Sequence, residues 1–188
     1  MSGLAYRRLK WRAIVALVFG RREAALERFT QMVEGWPGDA YALASRSHLR
    51  AQLGDREGAL ADARALTERH PRRSAADWFN LGFMLDEAGE PAQAEPAFRR
   101  AIELDAKLDR AWYGLALSLI RMQRFDEAIV ALKRNTELQP MSPYGWYQLA
   151  RVQFDRHEPE ETRKIIRHLK GFEPKVAAQL ERETGLAA

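Results

Sequence analysis

Two spacings organise the apolar positions of this chain. Within a segment, Trp78, Leu81, Gly82 and Leu85 follow the 3, 4, 7 spacing of one helical face, and Ala94, Phe98 and Ala101 mark a second face soon after. Between segments the pattern returns every 34 residues: Trp78, Trp112 and Trp146 form one series, and Pro37 to Pro71 and Pro140 to Pro174 keep the same step. Small residues share that register at Ala13, Ser47, Gly82, Ala116 and Ala150, and again at Ala25, Ala59, Ala94 and Ala128, where Thr162 breaks the second series. Larger side chains fill further columns, Leu9, Leu43, Trp78, Trp112 and Trp146 in the first half of each unit and Phe29, Ala63, Phe98, Leu132 and Ile166 in the second. The spacing predicts five helix-turn-helix units, 6–39, 40–73, 75–108, 109–142 and 143–176, with Ser74 as one extra residue.

Glycine and proline punctuate the same register. Gly20, Gly54 and Gly89 supply the positive φ of the turn inside each of the first three units, a conformation that Gln123 and His157 must adopt at a steric cost in the last two. Pro91 and Pro159 open second helices, where a missing N–H breaks no bond, and the boundary prolines stop one unit before the next begins. Pro96 falls inside a predicted helix, where it removes one hydrogen bond. Residues 175–186 read as a final helix with Val176, Ala177 and Leu180 inward, Lys175, Gln179, Glu181, Arg182 and Glu183 outward, and Gly185 as its stop. Trp112 is expected to be buried where its helix meets its partner.

With these residues in place, the chain resembles the tetratricopeptide repeat family. Trp78-Phe79-Asn80-Leu81-Gly82 through Ala94, Phe98, Ala101 and Leu104-Asp105 carry the likeness best, and it extends over about residues 6 to 174. Arg12 and Arg46 stand where the family pattern has leucine, a place their aliphatic stems can fill along an apolar face. The resemblance implies an all-α, right-handed superhelical solenoid of about five repeats with a C-terminal capping helix, forming a single domain over residues 1–188.

Composition narrows the chemistry. The 188 residues are 46% hydrophobic and 30% charged, enough for a substantial core, and the absence of cysteine excludes disulfides, thiolate nucleophiles and cysteine-bearing metal sites. No phosphate loop, nucleophile elbow or metalloprotease motif occurs, and His157 with Glu161 reads as a surface pair, so no enzyme activity, metal or cofactor is expected. Residues 1–28 hold seven Lys and Arg against two acidic residues, while the remaining 160 carry 23 against 24. Arg7, Arg8, Lys10 and Arg12 are expected to keep the outer face of the first helix in water. The apolar run 13–19 is too short to span a bilayer, and Gly20-Arg21-Arg22-Glu23 follows it instead of a cleavage site, so a cytoplasmic protein is expected.

In the family, the first helix of each pair lines the concave face, and the resemblance implies that partners bind there. Columns two, five, six and nine residues into each unit place Phe79, Asn80, Phe83, Arg110, Tyr113, Tyr144, Tyr147, Gln148 and Arg151 on that face as candidate peptide-binding residues. The aromatic members have a second reading as packing between neighbouring helices. Some family members clamp a C-terminal carboxylate with two lysines, two asparagines and an arginine; only Asn80 and Arg110 match in the second to fourth units, where Ala44, His48 and Gly114 take the other places. An extended peptide with apolar or aromatic anchors fits these residues better, which makes the expected function a protein-interaction scaffold with a protein or peptide partner. The alternative is an electrostatic module that docks its basic first unit on nucleic acid or an anionic membrane surface. Charge confined to one end favours the scaffold, with neither nucleic acid nor membrane as the expected partner.

Overall fold

The structure, a computed structural model, describes residues 3–188; Met1 and Ser2, included in the expected domain 1–188, lie outside the described residues. Among the described residues the chain is all-helical. Its helices are α1 (Gly3–Val18), α2 (Arg22–Gly35), α3 (Ala40–Gln52), α4 (Arg56–Arg69), α5 (Ala75–Glu87), α6 (Pro91–Leu104), α7 (Asp109–Arg121), α8 (Phe125–Leu138), α9 (Pro143–Asp155), α10 (Pro159–Lys170) and α11 (Pro174–Thr184). Helix α6 runs through Pro96 without interruption. Two compact units divide the chain, one ending at Met84 and one spanning Leu85–Ala188, so that the boundary falls inside α5.

In the first unit α1 packs on α2, α2 on α3 and α3 on α4. Ala13, Ala25, Phe29, Met32, Ala42 and Leu49 form its buried core, and the three alanines let neighbouring backbones come close. Tyr6 ties α1 to the α2–α3 connection: its hydroxyl donates to the Asp39 carboxylate at 3.1 Å, its ring meets Trp36 edge-on at 5.1 Å, and Asp39 in turn caps α3 by accepting from the Ala42 amide at 2.7 Å. Arg46 is more than an aliphatic stem here. It grips the buried Asp62 of α4 through two bonds of 2.8 and 2.6 Å, and Arg50 adds a third at 2.9 Å.

In the second unit α7/α8 and α9/α10 are the packed pairs, and α11 lies against α9 and α10 through the fully buried Ala177 and Leu180. Gly114 faces the Phe98 ring so closely that an added Cβ would stand 2.6 Å from it. Gly145 is equally constrained by Asn135, whose amide crosses from α8 to donate to the Asp109 carbonyl at 3.0 Å.

The turn column behaves as its spacing predicts. Gly20, Gly54 and Gly89 have φ of 69°, 87° and 79°, and Gln123 and His157 take 59° and 61° in the same place. Each turn closes with the same bond back into the preceding helix, as in Arg124 N–H to Leu119 O at 2.9 Å and Glu158 N–H to Gln153 O at 2.9 Å. The tryptophan column also has a common contact: the indole N–H groups of Trp78, Trp112 and Trp146 donate to the carbonyls of Pro71, Ala106 and Pro140 at 3.0, 3.0 and 2.9 Å. Trp112 is accordingly only partly buried, because its polar edge must reach the connection before its helix. The outer face of α1 departs further from expectation, since Leu4, Trp11 and Val18 stand in solvent among the arginines expected to solvate it.

Candidate functional site

Helix periodicity brings three of the candidates together on α7 and α9. Tyr113 is partly buried and hydrogen-bonds with the Gln148 amide, while Tyr144, beside it on the first turn of α9, is 70% exposed. Burial raises the Tyr113 pKa above its ordinary value; the Gln148 bond pulls the other way, and the nearby Tyr144 adds to the rise. Arg110 is exposed on the first turn of α7.

Tyr147 and Arg151, the other two candidates on α9, meet residues of α11. The Tyr147 hydroxyl donates to Glu183 Oε2 at 2.8 Å, and Gln179 Nε2 donates to Glu183 Oε1 at the same distance. Arg151 Nη1 lies 3.4 Å from the Tyr147 hydroxyl and 3.8 Å from the Glu183 carboxylate. Hydrogen bonds from Gln179 and Tyr147, helped by the charge of Arg151, hold the Glu183 carboxyl below the usual carboxylate range. The helical phase predicts Gln179 and Glu183 outward, and both are exposed while they also meet Tyr147 of α9. The signal that includes them is Pro174: it continues the boundary column from Pro140, so α11 stands where the first helix of a further unit would begin.

The remaining candidates lie on α5 in the first unit. Phe79 and Phe83 stack at 6.3 Å with an interplanar angle of 28°; Phe79 is partly buried, whereas Phe83 and Asn80 are exposed. The candidates of the first unit are aromatic faces and an amide, and those of the second add guanidinium groups, an arrangement suited to recognition.

Helix pairs recurring every 34 residues, with small residues at their crossings and an indole pinning the α4–α5, α6–α7 and α8–α9 connections, define a helical-repeat protein. The chain belongs to the tetratricopeptide repeat family, whose models match residues 45–109 and 87–146. Among curated relatives it is 27% identical over 137 residues to Superkiller complex protein 3 of Mus musculus and 25% identical over 136 residues to Tetratricopeptide repeat protein 37 of Xenopus laevis. Each match takes in 72% of this chain and 9% of the relative, so the chain spans only about a tenth of the length of those proteins. Among solved structures, MamA superposes with a TM-score of 0.85 at 17% identity over 100% of this chain and 99% of its own. YrrB, described as a TPR protein with an unusual peptide-binding site, gives a TM-score of 0.81 at 17% identity over 90% of this chain and 88% of its own. These likenesses establish the fold.

Proposed function

We propose that the protein is a non-enzymatic scaffold of the cytoplasm whose second unit binds an extended peptide segment of a partner protein across the face of α7 and α9. The observation that carries this reading is the exposed Tyr144 ring beside the Tyr113–Gln148 pair. An exposed aromatic face offers a large contact at small entropic cost, and the adjacent amide can meet a peptide backbone that would otherwise lose its hydrogen bonds to water. Arg110 would receive an acidic side chain of the ligand. Arg151 would contribute less, because Glu183 already balances its charge. The Phe79–Phe83 stack with Asn80 would be a second contact of the same chemistry on the first unit. The general role as a protein-interaction scaffold follows the family's fold, and YrrB, which shares that fold, is described as having a peptide-binding site.

A displayed random-peptide library tests the reading. Wild-type protein is expected to enrich sequences with aromatic or apolar anchors, and Tyr144→Ala with Gln148→Ala is expected to weaken them by about 2 kcal/mol, roughly thirtyfold in Kd, with helical content unchanged by circular dichroism. Failure to enrich any peptide, or equal binding by the variant, would remove the site.

A further inference from the structure

We propose that the outer face of α1, together with the α1–α2 turn, docks on an anionic lipid surface. Leu4, Trp11, Val15 and Val18 follow one another at spacings of 7, 4 and 3 and form a single stripe. The stripe lies opposite Ala13, the buried residue of that helix. Leu4 is 74% exposed, Trp11 67% and Val18 76%, and Phe19, at the tip of the turn, is 72% exposed. Isolated apolar side chains on a surface are ordinary, but a contiguous set containing a tryptophan marks a place that meets something other than water.

The charge pattern selects the occupant. Six of the residues 3–22 are Lys or Arg and none is acidic, so the basic excess of the chain gathers on this helix and turn. Arg7 borders the stripe on one side and Arg8 and Arg12 on the other, while Arg21 and Arg22 follow the Phe19 tip; all five are exposed. Lys10 is turned elsewhere, with its ammonium 4.1 Å from the centre of the Tyr41 ring. A helix with an apolar stripe flanked by arginines can lie in a membrane interface, its stripe reaching the acyl boundary and its guanidinium groups pairing with lipid phosphates. Trp11 suits that boundary, apolar in its ring and polar at its N–H.

Competing occupants fit less well. A two-fold pairing of α1 with its copy would bring the arginine rims of both chains together, and a nucleic acid would neutralise the arginines while leaving the stripe in water. No described helix is long and apolar enough to cross a membrane, so α1 lies on the surface. The exposed carboxylates of α2, Glu23, Glu27 and Glu34, require that α1 and the turn lead the approach. The inference is independent of peptide binding, which concerns other residues.

Co-sedimentation of the full chain with vesicles of phosphatidylcholine alone and mixed with phosphatidylserine tests it. Binding is expected to the mixed vesicles, at least about tenfold weaker to neutral ones, and weakened by salt. Trp11→Gln with Val18→Gln, and separately Arg7→Gln with Arg8→Gln and Arg12→Gln, are each expected to lower partitioning roughly tenfold or more; all five positions are solvent-facing. Trp11→Phe retains the fold and the apolar stripe and is expected to abolish the blue shift of tryptophan emission on binding, a readout that does not depend on the multiple variants folding. Equal sedimentation with both vesicle types, or variants indistinguishable from wild type, would overturn the proposal. So would lipid-free self-association abolished by Trp11→Gln with Val18→Gln, which assigns the face to a second copy. Nucleic-acid binding that survives the apolar double variant without any lipid binding would likewise refute it.

Discussion

Asp62, 3% exposed, is surrounded by cationic hydrogen-bond donors: Arg46 spans both of its oxygens and Arg50 bonds one of them. Removing a charge from water is expensive, and the fork of Arg46 makes the loss tolerable by meeting the carboxylate in its own plane. Asp62→Asn leaves two guanidinium groups facing a neutral amide and is expected to cost about 3–5 kcal/mol in urea denaturation. Replacing the pair together, Arg46→Leu with Asp62→Leu, is expected to recover most of that loss, because an apolar pair of similar total volume needs no partner and Arg50 still reaches Asp55 at 3.4 Å. Additive losses would show that the pair does not act as a unit. The apolar column accounts for Arg46 through its stem alone, since a partner 16 residues away on another helix leaves no periodic trace.

At the scale of the element, the left-handed turn residue is the repeated device, and two of its five occupants are strained. A residue with a Cβ in that conformation costs about 1–2 kcal/mol, part of which glycine returns as freedom of the unfolded chain. Gln123→Gly and His157→Gly are therefore expected to raise stability by about 0.5–1 kcal/mol each in thermal or urea unfolding, an outcome that a loss of stability in both would refute. The turn was legible because the same physical demand falls on the same column five times. The tryptophan series was legible for a like reason, though its cause, an indole N–H reaching the preceding connection, makes Trp112 less buried than a purely apolar reading predicts. Helical columns also put Tyr113, Tyr144 and Gln148 on one face, and the three lie near one another on α7 and α9. They could not show that Gln179 and Glu183 meet Tyr147, because a polar residue facing a neighbour and one facing solvent have the same signature on a single helix. The run 13–19 is apolar on more than one side of α1, and periodicity does not say which side will be covered. Nor does any shift in composition announce the boundary after Met84.

Across the whole molecule, the carboxylates with lowered pKa lie in the second unit, and of the two tyrosines with raised pKa the more strongly shifted, Tyr6, lies in the first and Tyr113 in the second. Glu95, Glu181 and Glu183 of the second unit all titrate below the ordinary value of 4.5. For Glu95, burial works against the charge and its bonds to Arg99 and Arg124 overcome that opposition; for Glu181, Lys170 is the chief cause. A folded pKa below the unfolded one means that the unfolded chain takes up protons first, so the stabilisation is complete above about pH 4.5 and is lost as pH falls through the folded values. Tyr6 of the first unit has the opposite sign, its pKa pushed up from 10.0 to about 12 by burial and by the adjacent Asp39 carboxylate. Its stabilisation is complete below pH 10.0 and is lost as pH rises through about 12, when a phenolate would face Asp39 across the bond that holds α1 to the α2–α3 connection. Urea titrations at a series of pH values are expected to give a plateau with an acid and an alkaline limb, and hydrogen exchange to find the acid limb opening Leu85–Ala188 first and the alkaline limb opening the unit that ends at Met84 first. Tyr6→Phe is expected to lower the plateau slightly by removing the bond to Asp39 and to flatten the alkaline limb. An alkaline limb unchanged in Tyr6→Phe would show that another group governs the stability of the first unit at high pH.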